Sequence, residues 1–250
     1  HIDVQTYTKQ DRLFRSMQHQ KACYERFDGI YCVSENVKEA FSAKFGLTER
    51  VHVAYNMLDE QAIRRRKNEP VDDIPKGEFL MVSVGSLIPR KGFERLIHIC
   101  GLLKSRGYRF HLLILGKGEL YEQLAEQVID EHLLDSVQLL GFRDNPYPYM
   151  AAADLYVCPS YVEGFSTVVS EAVVLETPVV TTDCSGMREI LGDSEYGLIT
   201  RNTEESLFEG LRTMLDKPEV YQYYQQRVRE RAPFFYMEER LKAYEEILDQ

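Results

Sequence analysis

Between residues 79 and 200 short apolar runs alternate with amphipathic stretches. The runs are Phe79–Val84, Phe110–Leu115, Val137–Leu140, Leu155–Cys158, Val179–Thr182 and Gly197–Thr200, each four to six residues long. Between them apolar residues recur at steps of three and four, as at Phe93, Leu96, Ile97, Cys100 and Leu103, the period of a helix with one buried face. Strands that are apolar at nearly every position are covered on both sides. The pattern therefore predicts an α/β fold, a Rossmann-like parallel sheet with helices on both faces. Ligands of such sheets bind at the carboxyl ends of the strands, so the loops that follow the strands are the ones to read for chemistry.

The flanks read differently. Residues 1–60 predict a smaller α/β unit: a polar helix around Asp11–Arg26, a strand at Gly29–Val33, a helix capped by Ser34 with Val37 and Phe41 on one face, and a strand at Val51–Tyr55. Arg64–Gly77, with three consecutive arginines, two prolines and several acids, reads as a solvated linker with a boundary near residue 75. After Thr203 the chain reads as helical, with breaks near Pro218 and Pro233. The last helix, Phe235–Leu248, has apolar positions at Met237, Leu241, Tyr244, Ile247 and Leu248 for docking. Three parts are expected: an incomplete N-terminal unit with linker (residues 1–75), the Rossmann-like domain (76–232), and a helix packing back toward the N-terminal part (233–250). The chain opens on His1 without an initiator Met and reads as a fragment whose upstream portion is missing.

Composition narrows the function. A formal net charge of −10 argues against nucleic-acid binding, which needs a basic surface. An anionic ligand would need a local cationic pocket. The five cysteines are scattered without a Cys-x-x-Cys pair, which argues against a zinc site or redox dithiol and fits a reducing cytoplasmic compartment. No apolar run approaches the ~18 residues of a membrane span, and the N-terminus lacks a signal-peptide pattern.

The loop after the first strand of the sheet runs Gly85 to Gly92 with Arg90 and Lys91 before the next helix. Flanking glycines allow close backbone approach, and a guanidinium beside an ammonium suits a diphosphate; a solvated basic loop is the alternative. The second strand ends in Gly116-Lys117-Gly118, but position 121 is Tyr, so the dinucleotide-binding fingerprint is incomplete. The third ends in Gly141–Pro146, where loop backbone beside Phe142 and Arg143 can receive a nucleobase edge or form a plain turn. The fourth runs into Glu163-Gly164-Phe165-Ser166-Thr167, with Glu171 eight positions after Glu163. Eight helical residues rise about 12 Å, so this pair could hold both ends of an extended polyhydroxylated ligand, with free helix N–H groups between them. Alone, Glu163 would read as a helix-capping acid and Glu171 as a solvated one. After the fifth strand, Asp183–Gly186 fits a cap and turn first and a ligand contact second.

In order and spacing, these loops resemble the donor-binding domain of the retaining group 1 glycosyltransferases (family 4), which have the GT-B architecture of two facing Rossmann-like domains. The matching residues are Gly85, Arg90, Lys91 and Gly92; Gly116 and Gly118; Leu140 to Phe142; Ala153 and Asp154; Pro159 and Ser160; Glu163 to Phe165 with Glu171 and Ala172; Pro178 to Val180; and Glu189 and Ile190. The resemblance covers roughly residues 79–216, and residues 1–60 look like the end of the acceptor-side domain. It implies that Arg90 and Lys91 hold the donor diphosphate and that Glu171 accepts hydrogen bonds from the ribose. Glu163 would contact the transferred sugar, with the backbone of Gly164, Phe165 and Ser166 nearby, and the backbone around Phe142 and Arg143 would receive the base. Two positions depart from the family's habit and bear on donor selectivity: Lys117, where an acid is frequent, and Ser166-Thr167, where a small residue followed by an apolar one is usual.

The expected reaction is transfer of a sugar, with retention, from a nucleoside-diphosphate sugar (UDP-sugars favoured) to a glycan or lipid-linked acceptor. The chain has no Asp-x-Asp tripeptide, so neither metal nor cofactor is expected; Arg90, Lys91 and a helix N-terminus would meet the leaving-group charge, with Glu163 on the opposite side of the sugar. A cytoplasmic protein results, with peripheral membrane contact at the inner face left to the missing domain. The fragment is expected to bind donor but turn over poorly. The alternatives are a sugar-nucleotide epimerase, for which no acid/base pair is evident, and a non-catalytic nucleotide-binding module.

Overall fold

The computed structural model describes residue 14 and residues 16–248. Its N-terminal unit consists of helix α1 (Met17–Tyr24), strand β1 (Ile30–Cys32), helix α2 (Glu35–Phe45), strand β2 (Val51–Val53) and helix α3 (Glu60–Arg66). β1 and β2 pair in parallel over a small core of Cys32, Phe41, Phe45 and Val51, with Tyr24 against it. Ser34 caps α2 by accepting from the Val37 amide at 3.1 Å, as its place before the amphipathic run predicts. Residues 11–13 and 15 of the expected first helix lie outside the described residues.

The larger unit follows the predicted alternation: β3 (Phe79–Val84), α4 (Phe93–Ser105), β4 (Phe110–Leu115), α5 (Tyr121–Asp130), β5 (Val137–Gly141), α6 (Tyr147–Ala152), β6 (Leu155–Cys158), α7 (Thr167–Val174), β7 (Val179–Thr182), α8 (Met187–Leu191) and β8 (Leu198–Thr200). The strands form one all-parallel sheet in the order β5-β4-β3-β6-β7-β8. Successive strand residues point to opposite faces, and both faces are apolar. Val82, Leu113 and Tyr156 enter one core with Val169 and Val173 of α7, while Met81, Leu112 and Leu155 enter the other with Leu96 and Ile97 of α4. That double burial is why these strands carry no alternation.

The segment Arg64–Gly77 departs from a solvated linker. Arg64, Arg65 and Arg66 close α3, whose Ile63 is buried, and Leu58, Val71 and Ile74 pack on the same core as α7. Apolar residues spaced among charges anchor the segment, and the charges find partners: Arg66 donates to Asp144 at 2.9 Å, and the Arg64 guanidinium lies 4.8 Å over the Tyr236 ring.

After β8 come α9 (Glu204–Asp216), α10 (Pro218–Arg231) and α11 (Met237–Leu248). The last helix starts two residues later than expected because Ala232–Phe235 winds into a 3₁₀ turn that buries Phe235. Where α11 meets the N-terminal unit, the Tyr244 hydroxyl donates to the Tyr55 carbonyl at 2.7 Å and the Met237 amide to Glu60 at 2.9 Å. The side chains of Ile247 and Leu248 lie outside the described ones. No described helix is long and apolar enough to cross a membrane.

Candidate active site

Strand order reverses beside β3: the chain runs outward through β4 and β5, then returns to place β6 on the other side of β3. The carboxyl ends of β3 and β6 therefore bound a crevice. Its loops are stitched together. The Gly85 amide donates to the Leu115 carbonyl at 3.0 Å, Leu87 to Lys117 at 3.0 Å, Gly116 to Gly141 at 2.9 Å, and Tyr161 to Arg90 at 2.8 Å. Two glycines permit this spacing. A Cβ on Gly116 would lie 1.8 Å from the Gly85 carbonyl oxygen, and one on Gly92, whose φ is +67°, would lie 2.2 Å from that of Pro159. Gly92→Ala meets both left-handed strain and overlap with backbone. It is expected to cost about 2 kcal/mol or more, read as a lower urea midpoint.

The crevice opens as a cleft of about 310 Å³ lined by Gly85, Gly116, Lys117, Phe142, Arg143 and Glu171, the size of a small-molecule site. Glu171 reaches it from the second turn of α7, with the Tyr147 hydroxyl donating to its Oε1 at 3.1 Å. Burial pushes the Glu171 carboxyl up to about 7, against the opposing effect of the Tyr147 hydrogen bond. Arg143 is held by Asp73 at 2.7 Å. A slightly larger groove of about 360 Å³ lies between α1 and the start of β2, away from the carboxyl ends of the main sheet.

Glu163 sits next to the cleft in a tight hollow of about 10 Å³, which it shares with Lys91, Ser160 and Ser166; Val84 lines both spaces. Glu163 is only 5% exposed. Its Oε1 accepts from Lys91 Nζ at 2.6 Å and from Ser160 Oγ at 2.7 Å. The expected arrangement, with Glu163 facing Lys91 across a ligand, is thus not the one found: the two side chains form a direct ion pair joining the β3 loop to the β6 loop. Arg90 is exposed on the 3₁₀ turn Pro89–Lys91 and has no carboxylate partner among the described residues.

The remaining sequence candidates divide. Ser166 caps α7 by accepting from the Val169 amide at 3.4 Å, and the Gly164 carbonyl packs against Gly186. Phe165 and Thr167 face the N-terminal unit rather than the cleft. Phe165 stacks on Tyr55 with centroids 5.4 Å apart, and Thr167 Oγ1 accepts from Asn56 at 3.3 Å.

Two residues have roles that the sequence reading did not assign. Arg95 lies on the apolar helix α4 yet is 3% exposed; its guanidinium donates to the Pro159 and Ser160 carbonyls, both at 2.7 Å, and to Asn202 at 2.9 Å. It clamps the loop that presents Glu163. A lone Arg inside an apolar face is the only trace of this in the sequence. Glu189 accepts from the Glu35 and Asn36 amides at 2.8 and 3.2 Å and from the Tyr55 hydroxyl at 2.9 Å. It caps α2 from 153 residues or more away along the chain, a relation no local pattern encodes.

Known proteins share this organisation. The profile of the family described as "Glycosyl transferases group 1" matches residues 64–231. The chain is 34% identical over 215 residues to the N-acetylgalactosamine-N,N'-diacetylbacillosaminyl-diphospho-undecaprenol 4-alpha-N-acetylgalactosaminyltransferase of Campylobacter jejuni, covering 85% of this chain and 57% of that protein. It is 28% identical over 179 residues to the lipopolysaccharide core biosynthesis glycosyltransferase LpsE of Rhizobium meliloti, covering 70% and 50%. The chain thus spans about half the length of such relatives. Among solved structures, the UDP complex of HepE from Anabaena superposes with a TM-score of 0.79 at 22% identity over 93% of this chain and 67% of that one. TarM from S. aureus gives 0.78 at 18% over 98% and 49%. Together with the GT-B-like sheet and its loops, the profile match places the chain in a family: it belongs to the group 1 glycosyl transferases.

Proposed function

We propose that the chain is the donor-binding part of an enzyme that moves a sugar, with retention and without a metal, from a nucleoside-diphosphate sugar (UDP-sugars favoured) to a glycan or lipid-linked acceptor. The observation that carries this reading is the meeting of Lys91, Glu163 and Glu171 at the carboxyl ends of β3 and β6, beside a cleft of about 310 Å³. In transfer the bond between the anomeric carbon and the phosphate oxygen breaks and its electron pair goes to the diphosphate. Lys91 and Arg90 would meet that charge, a contribution often worth several kcal/mol. A donor diphosphate bound in the cleft at the mouth of the hollow takes the Lys91 ammonium over from Glu163, whose carboxylate is then left to face the electron-poor sugar. Glu171, farther along the cleft, is placed for the ribose hydroxyls.

The comparisons support the chemical class. HepE is a structure with UDP bound, and the name of the Campylobacter relative puts its acceptor on an undecaprenol diphosphate. Peripheral membrane contact would then fall to the portion of such relatives that this chain does not span. Metal independence is supported by the two cations and the lack of Asp-x-Asp. The test is a thermal-shift panel of UDP-, GDP- and ADP-sugars with and without chelator, since a ligand of the native state raises Tm. A UDP-sugar shift that chelator leaves intact is the expected result, and no shift with any nucleotide sinks the proposal. Since the chain spans about half the length of such relatives, it alone should show at most slow donor hydrolysis, and robust transfer to acceptor would show that the spanned half suffices.

Glu171 provides a pH signature. Its folded carboxyl titrates near 7 because burial disfavours the charge. Between the ordinary carboxyl range and pH 7 the native state holds a proton that the unfolded chain has released, so stability falls as pH rises through that window. Above it the ionised group costs roughly 3 kcal/mol. Glu171→Gln is therefore expected to melt higher than the wild type at pH 8 and to match it at pH 5, while binding UDP about tenfold more weakly at pH 8. A Tm difference equal at both pH values would refute the assignment.

A further inference from the structure

The geometry points to Lys117 as the residue that selects the nucleobase, favouring bases with a keto oxygen over those with an amino group. The inference rests on the donor reading above and deepens it. The cleft has two ends. The Lys91–Glu163 hollow adjoins it on the β6 side of β3, with Glu171 of α7 following along the cleft; the loops after β4 and β5 supply Lys117, Phe142 and Arg143 at the other end. With sugar and diphosphate assigned to the α7 side, the base falls to the Lys117–Phe142 wall.

On that wall Lys117 is the cation without an acceptor among the described residues. The backbone of Lys117 is pinned, its carbonyl accepting from Leu87 at 3.0 Å while the neighbouring Gly116 amide is tied to Gly141. Its ammonium lies 4.7 Å over the Phe142 ring, and among the described residues no carboxylate pairs with it. A ring face holds a cation by its quadrupole without a lone-pair acceptor, so the three N–H donors of Lys117 stay open to a ligand. The neighbouring charges are paired: Asp73 neutralises Arg143 at 2.7 Å, taking one of its five N–H donors, and Arg66 holds Asp144 at 2.9 Å.

Lys donates and never accepts. Uracil presents an O4 acceptor where cytosine presents an N4 amino donor, and guanine an O6 acceptor where adenine presents an N6 donor. Lys117 thus rewards the first member of each pair and sets donor against donor in the second. UDP and CDP form the sharpest comparison, because they match in size and phosphate charge and differ at the group the ammonium would meet.

The experiment is calorimetric titration of the chain with UDP, CDP, GDP and ADP, for the wild type and for Lys117→Met and Lys117→Glu. Lys117 is exposed, and a melting curve for each variant confirms that it is folded. The wild type is expected to bind UDP roughly tenfold more tightly than CDP, and GDP more tightly than ADP. Lys117→Met should narrow each ratio to about twofold by weakening the keto nucleotides alone, and Lys117→Glu should reverse it. Equal wild-type affinity for UDP and CDP overturns the inference. So does a parallel loss of all four nucleotides in Lys117→Met, which would place the ammonium on phosphate or ribose. Binding of none of the four by the wild type would sink the donor reading itself, a result distinct from either.

Discussion

Lys91→Met is expected to remove nucleotide binding and destabilise the fold together. The lost ammonium gives up its charge-assisted hydrogen bonds to the diphosphate, about 1.5–3 kcal/mol each, so UDP affinity should fall by roughly 100-fold or more. The same change strands the Glu163 carboxylate, 5% exposed, with Ser160 as its remaining side-chain donor. Breaking one side of a buried ion pair costs roughly 3–5 kcal/mol because the other charge is left uncompensated. The two effects separate in the double variant. Lys91→Met with Glu163→Gln replaces the pair by neutral groups of similar shape and should recover most of the stability while binding stays lost. If Lys91→Met melts lower yet binds UDP as the wild type does, the pair is structural and the donor role fails. Urea unfolding and titration calorimetry on the wild type and the two variants decide it.

Arg95→Met should be nearly as damaging although the residue touches no expected ligand. The substitution keeps most of the stem volume on α4 but strips the buried Pro159 carbonyl of its donor at 2.7 Å, while the Ser160 carbonyl loses Arg95 and keeps the Thr182 hydroxyl and Cys184 thiol. The one stranded acceptor costs about 1–3 kcal/mol, and the lost bonds to Ser160 and Asn202 add to it, so a loss of roughly 3 kcal/mol is expected. Ser160 also donates to Glu163, so loosening residues 159–161 should lower UDP affinity even with Lys91 intact. Arg95→Lys should recover little, because one ammonium cannot span acceptors that the planar guanidinium reaches with separate nitrogens. A stability change under about 1 kcal/mol would show that the carbonyls find other partners.

The strands were legible because a parallel sheet covered on both faces demands apolar residues at consecutive positions. Four of the six, at residues 79–84, 110–115, 155–158 and 179–182, coincide with the apolar runs at both ends. β5 extends one residue further, to Gly141, and β8 starts one later, at Leu198. The site was legible as loops: once strand ends were known, Gly85, Lys91, Phe142, Glu163 and Glu171 all lay on or next to the binding edge. Residues 64–77 were harder, since their charges disguise two apolar anchors, Val71 and Ile74, that only neighbouring packing identifies. Arg95 was invisible for the opposite reason, because a buried guanidinium is tolerated only where carbonyls from elsewhere in the chain meet it.

Local and periodic properties were therefore decided by the chain on its own: where strands and helices run, that both sheet faces are covered, which loops follow the strands, and which charged residues those loops carry. They depend on side-chain polarity at spacings of one to four residues, which any stretch of sequence displays. Pairings between distant residues were decided by the folded molecule: Lys91 with Glu163, Arg95 with the 159–160 carbonyls, Lys117 over Phe142, and Glu189 at the start of α2. Such contacts depend on strand order and loop height, quantities set by packing in three dimensions, and a one-dimensional pattern carries no record of them.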